Sequence, residues 1–147
     1  MDNYKHILLA IDFFEQGEAV IHRAKDLAER YQATLSIIHV VDSLPLPDVN
    51  YGIDVPFNMD LTTELLEVAR KKLSELSKKL TIAEDHQWLE MGSPKTEIIR
   101  IAEENNVDLI VIGSHGRHGL ALLLGSTANS VLHHAPCDVL AVRLQNN

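Results

Sequence analysis

The chain holds 147 residues, 46% hydrophobic and 23% charged, which suits one globular domain spanning 1–147 and excludes disorder over most of its length. Thirteen basic residues against twenty-one acidic leave a net charge of −8, which disfavours duplex nucleic acid or anionic membrane as partners, since both need a basic surface. No apolar run approaches the roughly 20 residues of a membrane span, the single cysteine, Cys137, excludes an intrachain disulfide, and the start of the chain has no basic, apolar leader, so the expected compartment is the cytoplasm.

In chain order, Ile7-Leu8-Leu9-Ala10-Ile11 is a continuous apolar run that stops at Asp12, the pattern of a strand buried on both faces. Ile21, Ala24, Leu27, Ala28 and Tyr31 then recur at helical spacing, and Leu35 to Val41 forms a second apolar strand ending at Asp42. Residues 43–60 hold three of the five prolines plus Asn50 and Gly52 and read as a long loop. Leu61, Leu65, Ala69, Leu73, Leu76 and Leu80 mark a long helix, and His86 to Met91 a weaker strand. Gly92-Ser93-Pro94 reads as a turn into a helix, with Ser93 as cap, Pro94 at the first position, and Ile98, Ile101 and Ala102 facing the core. Leu109-Ile110-Val111-Ile112 is the third strong strand, Ala128, Val131, Leu132 and Ala135 mark a last helix, and Val139-Leu140-Ala141-Val142 is the final strand. Strands alternating with helices imply a parallel sheet with helices on both faces, an open doubly wound α/β fold of the Rossmann-like kind.

In such a sheet ligands gather beyond the carboxyl ends of the strands, where the strand order reverses. The residues there are Asp12, Val40-Val41-Asp42, Met91-Gly92 and Gly113-Ser114-His115-Gly116. Gly113 and Gly116 flank a turn after a buried strand, and Gly125-Ser126-Thr127 opens a helix whose N-terminus carries about half a positive charge. Together they are suited to cradle phosphates through backbone N–H groups, with the Ser126 and Thr127 hydroxyls able to donate to phosphate or reach a metal. The same residues also fit a blander reading, in which the glycines serve turns and Gly125-Ser126 caps a helix. Asp12 likewise reads either as a strand-ending polar residue or as an acceptor for an adenine amino group or a ribose hydroxyl. Neither GxxxxGK[ST] nor a GxGxxG after the first strand is present. Among eight histidines no pair has the spacing of a zinc site, so no metal ligands are assigned. No nucleophile elbow or paired carboxylates announce a hydrolase, and Cys137 reads as a small buried hydrophobe.

The chain resembles the universal stress protein family along its whole length. The resemblance is carried by Tyr4-Lys5-His6-Ile7-Leu8-Leu9-Ala10-Ile11-Asp12, Ile38-His39-Val40, Gly92-Ser93-Pro94, Asp108 through Gly116, Gly125-Ser126-Thr127-Ala128 and His134 through Val142. It implies a five-stranded parallel sheet of order 3-2-1-4-5 and a homodimer commonly paired through the last strands, for which the charge-free Val139 to Val142 would suit a covered edge. It also implies a role in surviving stress. Nucleotide binders of that family carry Gly-x2-Gly, nine residues, then Gly-Ser or Gly-Thr; here eight residues separate Gly116 from Gly125. Carried over, Asp12 and Val40 would contact adenine or ribose. Gly113, Gly116, Gly125, Ser126 and Thr127 would surround the phosphates, and Ala10 and Met91 would line the base pocket. The resemblance thus implies ATP, with Mg²⁺, as a regulatory ligand. A non-binding protein acting through protein contacts and a slow ATPase using Asp12 or a water on His115 are the alternatives.

Overall fold

The computed structural model describes residues 3–13, 17–42, 55–114 and 125–143. Five parallel strands, β1 (His6–Ala10), β2 (Thr34–Asp42), β3 (Gln87–Gly92), β4 (Leu109–Gly113) and β5 (Asp138–Val142), form one sheet in the order 3-2-1-4-5. Four helices, α1 (Glu18–Tyr31), α2 (Val55–Leu80), α3 (Pro94–Glu104) and α4 (Ser126–His134), are described with it.

β1 is central and covered above and below, which is why Ile7, Leu8 and Leu9 are fully buried and why its sequence shows no polar alternation. The pleat then sorts its side chains. Ile7, Leu9 and Ile11 pack with Val20, Ala24 and Ala28 of α1 and Leu73 of α2. Leu8 and Ala10 pack with Ile98, Ile101 and Ala102 of α3 and Ala128 and Val131 of α4. α3 buries the stripe that its apolar spacing announced, whereas α1 buries Val20 beside Ala24 and Ala28 and leaves Tyr31 exposed, and α4 leaves Leu132 exposed. α1 stops at Gln32, whose φ of 54° lies in the left-handed region and whose N–H reaches the carbonyls of Ala28 and Glu29.

The element bounds and caps depart from the sequence reading in three places. Residues 55–60, read as part of the loop, are the first turns of α2, and Pro56 is its second residue. Proline is accepted there because the first helical N–H groups have no intrahelical acceptor to lose. Residues 43–54 of the same reading lie outside the described residues. Ser93 stands at the N-cap of α3 but makes no side-chain cap bond; its carbonyl accepts from Thr96 and Glu97 instead. A short 3₁₀ turn, Glu84–His86, takes the place of the first residue of the expected third strand, and β3 starts at Gln87. Gly92, with φ of 143°, turns the chain from β3 into α3 through a conformation that L side chains rarely adopt.

At the amino ends of the strands, side chains tie separate elements together. The Asp108 carboxylate accepts the backbone N–H groups of Lys5 and His6, both at 2.8 Å, joining the start of β1 to the start of β4. The His6 ring bridges the Asn105 carbonyl and the Ser36 hydroxyl.

Candidate functional site

β2 and β3 lie on one side of β1 and β4 and β5 on the other, so the strand order reverses between β1 and β4, and the helices that follow them, α1 and α4, diverge to opposite faces of the sheet. The register there pairs Ala10 with Ile112 and, on the outer side, Gly113 with Val142. Two neighbouring strands whose following segments leave toward opposite faces cannot close the gap above them. The gap is a cleft of about 660 Å³.

Seven of the nine residues assigned from sequence line this cleft: Ala10, Asp12, Val40, Gly113, Gly125, Ser126 and Thr127. They come from three strands and one helix start. Met91 does not join them. It sits at the end of β3, two strands away from the divergence, paired with Val41 and 43% exposed. The start of α3, just after Met91 and Gly92, reaches the cleft instead through Pro94 and Ile98. Gly116 lies outside the described residues, as does His115.

The chain leaves β4 at Ser114 and returns at Gly125, and these two ends are hydrogen-bonded: the Gly125 N–H donates to the Ser114 carbonyl at 2.6 Å. The Ser114 N–H in turn donates to the Val142 carbonyl at 2.8 Å, anchoring the exit on β5. Gly125 is the N-cap of α4, with φ −62° and ψ 153°. Any residue adopts those angles, so the glycine is not there for its backbone freedom. What it provides is the absence of a side chain on the wall of the cleft, and with it the absence of a side-chain cap. The Gly125 carbonyl accepts from Asn129 at 2.8 Å, which closes the first turn and leaves the N–H groups of Ser126, Thr127 and Ala128 without an intrahelical acceptor. An anion at this point meets backbone donors, two hydroxyls and the positive end of the helix dipole.

Asp12, also on the cleft, follows the last ladder bond of β1, in which the Ile11 N–H donates to the Ile38 carbonyl at 3.0 Å. Part of the wall is apolar, built from Ala10, Val40, Ile98 and Ile112, a surface suited to the flat face of a ring. The described charged groups around the rim are the Asp12 and Asp42 carboxylates and the Lys72 ammonium. Among the described residues no three His, Cys, Asp or Glu side chains gather as a metal site. Cys137 is half-buried beside the α3–α4 core, and burial, followed by the charge of Asp138, pushes its thiol up to about 11.

Sequence reasoning missed part of the lining. His39, Phe13 and Gly17 belong to it, as do Leu65, Val68, Ala69 and Lys72 from α2. The α2 residues had no local signal, because only packing across the sheet brings that helix to the cleft. His39 had one: a polar ring amid Ile37-Ile38 and Val40-Val41, buried to 4% exposure. Among the described residues no helix is long and apolar enough to cross a membrane.

Comparison with known proteins places this geometry among relatives. Residues 3–143 match the Universal stress protein family. The chain is 43% identical over 148 residues to universal stress protein A homolog 2 of Coxiella burnetii, covering all of both chains. It is similar to the solved structure of hypothetical protein MJ0577, with a TM-score of 0.79, 31% identity, and 99% and 100% of the two chains covered. A universal stress protein solved in complex with cAMP shares the fold at a TM-score of 0.62 and 21% identity, with 96% and 98% covered.

Proposed function

The chain belongs to the universal stress protein family, and on that premise we propose that it binds an adenine nucleotide, ATP with Mg²⁺, in the cleft at the carboxyl ends of its strands. The observation that carries this reading is the uncapped start of α4. Gly125, Ser126 and Thr127 face the same cleft as Asp12 and the apolar wall of Ala10 and Val40. The start of α4 therefore suits phosphates, the apolar wall a base, and Asp12 a hydrogen-bonding edge of base or ribose. The aliphatic and glycine lining also matches what a nucleotide needs from a protein that holds it through backbone donors rather than a basic surface.

The residues present fit Mg²⁺ only as a companion of the nucleotide. Mg²⁺ is held by one or two oxygen ligands plus phosphates and keeps several waters. Ser126 and Thr127 are the oxygen donors at the phosphate end, and when bound the ion would offset phosphate charge. The protein's own part is to orient the nucleotide: α4 holds the phosphates, the apolar wall excludes water from the base, and Asp12 accepts a hydrogen bond from it.

The ligand acts in this reading as a signal of state rather than as a substrate turned over quickly, in a cytoplasmic stress response. The protein works as a homodimer joined through β5, an edge strand whose residues Val139 to Val142 stay only half-buried within one chain. The test is direct. Protein purified without added nucleotide is denatured with acid and its supernatant resolved by anion exchange against ATP, ADP and AMP, followed by calorimetric titration of fresh protein with ATP. A stoichiometric nucleotide peak or a saturating titration is the expected result. An empty chromatogram together with a flat titration at millimolar ATP overturns the reading and favours the protein-contact alternative, which the eight-residue spacing between Gly116 and Gly125 motivates.

A further inference from the structure

We infer that His39 is a positioning residue of the cleft: it holds the peptide that presents Asp12, and so sets the hydrogen-bonding edge that reads the base or ribose of the bound nucleotide. The inference rests on the nucleotide reading above and goes beyond it, because it gives His39, which lines the cleft, a role exerted through Asp12.

The argument starts from the end of the β1 ladder. β1 runs alongside β2 as far as Ala10 against Ile38, and the Ile11 N–H still donates to the Ile38 carbonyl at 3.0 Å. The Ile11 carbonyl is one step past that ladder, yet Ile11 is buried and a buried carbonyl requires a donor. His39 supplies it. Its Nδ1 lies 2.8 Å from the Ile11 oxygen, and since a carbonyl oxygen only accepts, Nδ1 carries the proton. Both polar groups of Ile11 are thus tied to β2, one through the backbone and one through the side chain of the next residue along it. The backbone bond fixes the Ala10–Ile11 peptide and the His39 bond fixes the Ile11–Asp12 peptide through its carbonyl.

A second contact acts on the far side of Asp12. The Phe13 ring packs on the His39 ring with centroids 4.6 Å apart and the planes tilted by 55°. His39 therefore touches the residue before Asp12 by a hydrogen bond and the residue after it by ring packing. Asp12 itself is half-buried between them on the rim of the cleft. Burying a histidine between Ile37-Ile38 and Val40-Val41 costs desolvation, and leucine or valine would pack there without it. The bond to the Ile11 carbonyl is what a ring with a donor at Nδ1 provides and an aliphatic side chain does not.

The test separates the bond from the ring. In His39→Asn the amide nitrogen can take the place of Nδ1, while in His39→Gln it lies one bond further out, near the place of Nε2. Dissociation constants for ATP with Mg²⁺ are measured on the full chain by calorimetry, for each variant alone and combined with Asp12→Ala. We expect His39→Gln to weaken ATP by about tenfold, the scale of one lost hydrogen bond, and His39→Asn by under about threefold. With Asp12→Ala in place, the difference between the two should vanish, because the edge they orient is gone. Equal effects of the two variants, or a difference that persists without Asp12, overturn the inference while leaving the nucleotide reading intact. Wild-type protein that is silent toward millimolar ATP overturns the nucleotide reading and this inference with it. His39→Leu, which restores volume without a donor, replaces the glutamine variant if that chain does not fold, with the same expected loss.

Discussion

Substituting Gly125 by aspartate should raise stability and lower nucleotide affinity at once, because the same three N–H groups serve both. Gly125 occupies the N-cap of α4 with φ −62° and ψ 153°, angles an aspartate accepts without strain, and no side chain caps the helix there. An aspartate at an N-cap supplies the missing acceptor, worth a few tenths of a kcal/mol over glycine, and its charge at the helix start adds about 0.3–1 kcal/mol. For a chain of this size that is a rise in Tm of about 1–4 °C. The carboxylate then sits where a phosphate would. At ~5 Å and an effective dielectric constant of about 20, two unit like charges repel by about 3 kcal/mol, which screening at physiological salt roughly halves. Affinity for ATP should fall by about tenfold or more. Gly125 is buried, so Gly125→Ala serves as the control that adds bulk without charge or cap. Thermal melts and ATP titrations at two salt concentrations make the measurement. Gly125→Asp binding ATP within twofold of wild type would mean that the phosphates do not rest on α4. A loss of affinity equal to that of Gly125→Ala and insensitive to salt would trace it to bulk alone.

Three further outcomes follow from groups away from the cleft. Asp108 accepts two backbone N–H groups at 2.8 Å, so Asp108→Ala should lower unfolding free energy by about 2–3 kcal/mol and Asp108→Asn, which keeps an acceptor, by about 1; urea melts with unchanged slope would show it, and equal losses for the two would refute it. The Tyr4 hydroxyl donates to Asp138 at 2.7 Å, and that bond, then burial and the carboxylate charge, push the phenol up to about 12. The folded pKa lies above the unfolded value of about 10, so this contribution to stability is whole below pH 10 and lost as pH rises toward 12; an absorbance titration should show a phenol step in that upper range, and Tyr4→Phe should abolish it. The Cys137 thiol, pushed up to about 11, should react with a maleimide far more slowly at pH 8 in the folded protein than in denaturant, as seen by mass spectrometry; equal rates would contradict its packing against the α3–α4 core.

Much of the fold was legible because its signals are local. An unbroken apolar run such as Ile7 to Ile11 describes a strand covered on both faces, and the spacing of Ile98, Ile101 and Ala102 describes the buried stripe of a helix. The strand-end glycines were legible for the same reason, since a glycine after a buried strand or before a helix marks its own place. The start of α2 was not. Pro56 and its neighbours carry loop composition, yet proline belongs equally to a helix's first turn, and only the course of the chain distinguishes the two. Ser93 shows the converse: the cap position followed from Ser-Pro, while the cap bond depends on a rotamer that no local pattern dictates.

The candidate site divides along the same line. From sequence alone come the residue types that end each strand, and with them Asp12, Gly113, Gly125, Ser126 and Thr127 as candidates. Which of those ends meet was decided by the order of strands. Placing β1 beside β4 brings Ala10 level with Ile112 and puts β3 at the edge, so Met91 ends away from the cleft although its strand ends like the others. The bond from His39 to the Ile11 carbonyl spans 28 positions of chain and exists only because β2 lies against β1. Periodicity and turn chemistry are properties of neighbouring residues and can be read along the chain. The convergence of side chains from separate strands depends on which strands pair, and that is set by the burial of the whole sheet at once.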